Sequence, residues 1–202
     1  RSFAARPSIY VFGTLQNAVT CNQSIFKMTA VKAAEFAAVG GFFDTKSSAA
    51  VAVNWHVIKV SSLITTTRHE LTHMMIQQIA GKFTEIPAWI NEGNARLVDT
   101  TVPGAGWWAN TNRYVTISAA AAAPSELLPL TELVSQEQWN ARIPPVETFQ
   151  YYEASRAAQF VRDDVGVAGT IRIFELLSQG QSFDAAFQTV TGKSFAAFAA
   201  AF

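Results

Sequence analysis

The stretch Arg68-His69-Glu70-Leu71-Thr72-His73 places two of the chain's three histidines four residues apart, with a carboxylate directly after the first. On an α-helix, side chains at that spacing are offset by roughly 40° around the axis and about 6 Å along it. Both imidazoles can then converge on one tetrahedral ion at about 2.0–2.1 Å. In such a pattern Glu70 stands beside the ion and acts on the water that the ion activates, rather than serving as a ligand. A helix carrying two surface histidines and a solvated glutamate explains each residue singly but leaves their joint spacing to chance.

A catalytic zinc uses three protein ligands and keeps one position open for water. Glu92, within Trp89-Ile90-Asn91-Glu92-Gly93-Asn94-Ala95, is the candidate third ligand, on the next expected helix. Gly93 inside a helix costs roughly 1 kcal/mol against alanine. The expected reason to keep it is a close approach of this helix to the metal helix. A surface carboxylate beside a tolerated glycine is the plain alternative, and the upstream histidine pair argues against it.

These residues must be positioned by regular elements. Pro7 to Thr20, with Ile9, Tyr10, Val11 and Phe12, reads as a first strand. Ser24 to Val39 carries apolar residues at helical spacing, and Gly40 and Gly41 provide a stop. Ala50 to Val60 alternates through Val51, Val53, Trp55 and Val57 and reads as a strand. Ser61 and Ser62 are candidate caps for a helix running to Ala80, with Gly81 just past its end. Pro87 suits the first turn of a helix reaching about Val98. Thr100 to Pro124 reads as a long excursion around one short strand, Tyr114 to Ile117. Helices are expected near Leu130 to Trp139, Glu147 to Val165, Ala168 to Gln179, Phe183 to Val190 and Phe195 to Phe202. Strands first and helices later predict an α+β fold, read as a single domain over residues 1–202.

The joint pattern resembles a known family. His-Glu-x-x-His followed after eighteen residues by Glu is the spacing of the aminopeptidase N-like gluzincins. Trp89 to Ala95 is similar to their Trp-Leu-Asn-Glu-Gly-Phe-Ala segment, departing at Ile90 and Asn94. The resemblance implies a zincin-like fold, with an N-terminal mixed sheet and active-site helix followed by a mostly helical part. It implies zinc held by His69, His73 and Glu92, with Glu70 as general base in peptide hydrolysis. Tyr151-Tyr152-Glu153-Ala154-Ser155 looks like the gluzincin Tyr-Glu-Lys-Gly motif, which would make Tyr152 the oxyanion donor. Tyr151 is the second choice, and either tyrosine could instead simply pack against the core. From about Ser47 to the end the chain is similar, loosely, to small peptidase MA-like domains. The large aminopeptidases hold the substrate amino terminus with an acidic residue in a Gly-Ala-Met-Glu-Asn segment. Val51-Ala52-Val53-Asn54-Trp55 has no carboxylate, so aminopeptidase specificity does not transfer.

Other polar residues carry plainer readings. His56 is expected to be a hydrogen-bonded histidine on a half-buried strand rather than a ligand. Arg68 reads as a solvated helix charge, and Asp99 as a possible acceptor for a ligating imidazole. Trp107 and Trp108 suit either a cleft wall or core packing, and Arg156 a pairing with Glu153 or Glu126. Cys21 has no base nearby in sequence and cannot form an internal disulfide, being the only cysteine.

Fifteen Lys and Arg balance fifteen Asp and Glu. That balance gives no excess of positive charge for nucleic acid or an anionic membrane surface. No apolar run reaches the roughly 18 to 20 residues that a membrane span needs. The expected partner is a peptide or protein substrate. A second class remains open at this level: a zinc-loaded, non-catalytic domain that binds a peptide or partner. A retained general base at Glu70 speaks against it. Compartment and oligomeric state are not legible.

Overall fold

The computed structural model describes residues 6–46, 49–58, 63–81, 86–99, 128–141 and 146–202. The chain is α+β, largely helical, with a small mixed sheet of three strands. Its contacts divide it into two compact units, Arg1–Gln78 and Ile79–Phe202.

In the first unit, β1 (Ser8–Phe12) runs parallel to β3 (Ala50–Asn54), and β2 (Gly41–Phe43) pairs with β3 antiparallel, in the order β1-β3-β2. The first strand is shorter than the expected Pro7–Thr20. After Phe12 the apolar residues lose their period of two, and Thr14 turns the chain into α1 (Leu15–Ser24). The Thr14 side chain accepts from Asn17 N at 3.2 Å, satisfying one of the free donors at the helix start. The helix expected over Ser24–Val39 is likewise divided. Ser24 closes α1, Lys27 takes a left-handed φ of 54°, and Thr29 caps α2 (Ala30–Ala37).

Period-two alternation gives the sheet two faces. Phe12, Phe42 and Ala52 pack with Ala18, Phe26 and Ala37 in one buried cluster under α1 and α2. Ring edges meet ring faces there, Tyr10 on Phe26 at 5.4 Å and Phe26 on Phe42 at 5.2 Å. Val51, Val53 and Phe43 are buried on the opposite face, against which α3 (Leu63–Ala80) lies. The strand expected to reach Val60 ends at Asn54. That buried side chain donates to Phe36 O and Val39 O, both at 2.8 Å, tying the strand end to the last turn of α2 and the segment after it. Gly81, at φ 81°, stands just past α3 as expected. Its expected caps, Ser61 and Ser62, lie outside the described residues.

The described residues of the second unit are helical apart from their connections. Pro87 precedes α4 (Ala88–Asp99), whose first free donors are met by backbone: Ala88 N donates to Val134 O at 2.8 Å and Trp89 N to Leu133 O at 2.9 Å. Leu130–Trp139 is not one helix. A 3₁₀ turn, Leu130–Glu132, is followed by α5 (Gln136–Asn140), because Ser135 and Gln138 form a reciprocal capping box that restarts the helix. The long α6 (Val146–Ser178) is interrupted at Gly166, with φ 70° and ψ 176°, so the expected pair of helices meets at that glycine. α7 (Phe183–Thr191) begins at Ser182 and stops at Gly192 with φ 72°, and α8 (Phe195–Ala201) begins at Ser194. Trp89 is fully buried among Phe183, Phe187, Phe195 and Phe198. The expected strand at Tyr114–Ile117 lies outside the described residues. No helix among the described residues is long and apolar enough to cross a membrane.

Candidate metal centre

His69, Glu70 and His73 all lie on α3, which is continuous through them. The four-residue spacing brings His69 Nε2 and His73 Nε2 to 3.0 Å, with the rings 4.6 Å apart and 84° between their planes. A neutral imidazole presents one lone pair and one N–H. Two Nε2 atoms facing each other can therefore share a proton or direct both lone pairs at one cation. Tetrahedral coordination at about 2.05 Å would separate two nitrogens by about 3.3 Å, so the observed pair needs little adjustment to serve as ligands.

The ligand atoms of His69, His73 and Glu92 all lie within 4.8 Å of one another. His73 and Glu92 are buried and His69 is half-buried. Two imidazole nitrogens and one carboxylate oxygen are donors that suit borderline divalent ions generally. The residues present therefore fit such an ion. Glu70 is buried beside them in the chain and is not one of the three.

Gly93 has a different neighbour from the expected one. A Cβ built on it would sit 2.8 Å from Ala158 Cβ, 2.7 Å from Ala154 C and closer still to Ala154 O. It is α6 that demands the glycine. Sequence could supply the demand for a small residue but not the partner, because Ala154 is separated from it by sixty intervening residues.

Of the two tyrosines on α6, Tyr151 is committed to packing. Its ring meets Trp139 edge-on at 4.9 Å and lies under the Arg96 guanidinium at 4.6 Å. Tyr152 is half-buried, and its hydroxyl has no hydrogen bond among the described residues. Glu153 is buried and accepts from Leu128 N at 2.8 Å. Arg156 holds its guanidinium over the Phe160 ring, 5.4 Å from the centroid.

His56 sits in the turn after β3, not in the strand. Its Nε2 is 2.9 Å from Ala37 O and its Nδ1 3.4 Å from Phe12 O. That is the hydrogen-bonded histidine expected, and it is not part of the metal cluster. Asp99 ends α4, and Trp107, Trp108 and Glu126 lie outside the described residues. Two contacts had no sequence signal. The Phe43 ring stacks on the His73 ring at 5.8 Å and 29°. A Cβ on Gly41 would come within 3.1 Å of Glu70 Cγ. Strand β2 is three residues long, too short for alternation to announce which face meets α3.

Comparison with protein-family models, with curated proteins and with solved structures finds no match for this chain.

Proposed function

We propose that the chain is a zinc-dependent peptide hydrolase with a zincin-like catalytic arrangement of the gluzincin type. The observation that carries this reading is the gathering of His69, His73 and Glu92 within 4.8 Å, with the buried carboxylate of Glu70 one residue from the first ligand. Burying carboxylates is costly unless a cation or hydrogen bonds compensate the charge. A divalent ion at this cluster supplies part of that compensation.

His69, His73 and Glu92 would hold the ion, which when bound supplies Lewis acidity to the attacking water and to the substrate carbonyl. Glu70 takes the proton from that water as it attacks, then delivers it to the leaving amine nitrogen. Tyr152 donates its phenol hydrogen to the carbonyl oxygen as negative charge develops there. Tyr151, held between Arg96 and Trp139, is the less suitable donor. The substrate class is a peptide or protein.

Metal content of the purified chain, measured beside its His73→Ala variant, tests the ligand set; equal metal in both would overturn it. Digestion of a broad peptide library with and without chelator then tests the chemistry. Glu70→Gln is expected to keep the metal and to lose about 10²–10⁴-fold in cleavage rate. Unchanged turnover in that variant rejects the mechanism. Bound metal without chelator-sensitive cleavage in the wild-type chain would favour the zinc-bound, non-catalytic peptide- or partner-binding reading instead.

A further inference from the structure

Strand β2 touches α3 at two places. Gly41 and Phe43 pair with Val53 and Val51 respectively, so they occupy the sheet face on which α3 lies. The Phe43 ring stacks on the His73 imidazole, centroids 5.8 Å apart and planes at 29°. Gly41, two residues earlier, brings bare backbone under the neighbouring turn of α3. A side chain there would begin 2.9 Å from Thr66 Cγ2 and 3.1 Å from both Glu70 Cγ and the Ala52 carbonyl oxygen of the adjoining strand.

We infer that β2 is a positioning strand whose two contacts serve separate duties, Phe43 orienting His73 for the metal and Gly41 leaving the space in which the Glu70 stem lies. The inference rests on the hydrolase reading for the duties of His73 and Glu70, and on the geometry of the first unit for their placement.

The helix backbone restricts the first torsion of a histidine to staggered wells, but the second, about Cβ–Cγ, is broad. Rotation about that bond swings Nε2 away from the point it shares with His69. A flat ring stacked on the imidazole narrows the rotation, because tilting would part the two faces. Phe43 thus adds a restraint, on one face of the ring, to a rotation that the helix leaves open. Glu70 has three torsions, so its carboxylate depends on where Cγ is allowed to sit. Crowding at Cγ is levered out to the carboxylate oxygens. A misplacement of about 1 Å in a reacting group costs on the order of 10²-fold in rate.

The test uses the full chain and two readouts, zinc affinity by competition with a chromophoric chelator and kcat for chelator-sensitive peptide cleavage. Phe43→Leu, which keeps an apolar side chain but removes the flat ring, is expected to weaken zinc on the order of 10-fold to 100-fold. Phe43→Tyr, which keeps the ring, is expected to restore affinity to within about threefold of wild type. Gly41→Ala is expected to keep zinc affinity within about threefold while lowering kcat on the order of 10²-fold with KM little changed. Adding Thr66→Ser to it should not restore kcat, since the Glu70 contact remains.

Parallel loss of affinity and kcat in both single variants, or failure of Phe43→Tyr to rescue, would show β2 to be a general support and overturn the inference. Thermal unfolding of each metal-free variant identifies simple loss of fold; if Gly41→Ala does not fold, the Phe43 pair decides. A wild-type chain that binds no zinc overturns both this inference and the reading beneath it. Zinc bound equally by wild type and Phe43→Leu overturns this inference alone.

Discussion

In the first unit a helix meets a strand through side chains: Phe43 lies against His73, and Gly41 makes room for Thr66 and Glu70. In the second, α4 meets α6 backbone to backbone, with Gly93 pressed on the Ala154 carbonyl and Ala158. Both contacts use glycine, but for neighbours of different stiffness. At Gly41 the threonine methyl and the glutamate stem can shift by a few tenths of an ångström at modest cost, and the one backbone atom there, Ala52 O, stands off at 3.1 Å. A carbonyl locked in a helix cannot shift in that way, because moving it breaks the i→i−4 ladder. The residue that looks alike in sequence is therefore far more constrained in one unit than in the other.

Substitution at three glycines sharpens this contrast. Gly93→Ala, at helical φ but with no space, is expected to lower stability by about 3 kcal/mol, the upper part of the range for overpacking. Urea unfolding of the full chain measures it; a loss below about 1 kcal/mol would mean that α4 and α6 separate easily and that the distinction between stiff and yielding neighbours is wrong. Gly166→Ala isolates the opposite term. Nothing lies within 4 Å of its would-be Cβ, yet φ is 70° and ψ 176°. Conformational strain alone should cost about 2 kcal/mol in the same measurement. Gly41→Ala, at ordinary φ and crowded by the Thr66 methyl, the Glu70 stem and, at 3.1 Å, the Ala52 carbonyl, should cost about 1 kcal/mol in stability. If it equals Gly93→Ala, the two contacts are mechanically alike after all.

How much could be read in advance depended on the distance along the chain over which each fact is decided. The mutual placement of His69, Glu70 and His73 is a property of one helix turn, and their spacing already contains it. Some helix ends were legible for the same reason: Gly81 has positive φ just past α3 as expected, and the helix ends expected at Val165 and Val190 fall beside Gly166 and Gly192, whose φ is also positive. Boundaries failed where a cap competed with a propensity. Thr14 and Thr29 begin helices inside stretches that read as one strand and one helix, and Ser135 restarts a helix expected to run unbroken. A cap is worth only about 1 kcal/mol. It decides where the apolar pattern on either side is ambiguous, and the pattern cannot announce that.

His56 shows the same division. Its type and strand-like surroundings suggested a hydrogen-bonded histidine, but the acceptors, Phe12 O and Ala37 O, come from 44 and 19 residues away and were not nameable. The candidate ligand Glu92 was legible only through its motif, and the neighbour that requires Gly93 was not legible at all.

The amino-acid order alone determined the chemistry on α3, two imidazoles and a carboxylate on one helix, because helical geometry converts spacing into direction without outside help. It determined the class of the fold as well, through the early alternation and the later helical periods. Tertiary structure decided which strand lies under His73 and Glu70, which helix forbids a side chain at Gly93, and which of two adjacent tyrosines is bound up in packing. Each of those is a contact between segments whose separation along the chain carries no period, so only the folded backbone could bring it into being.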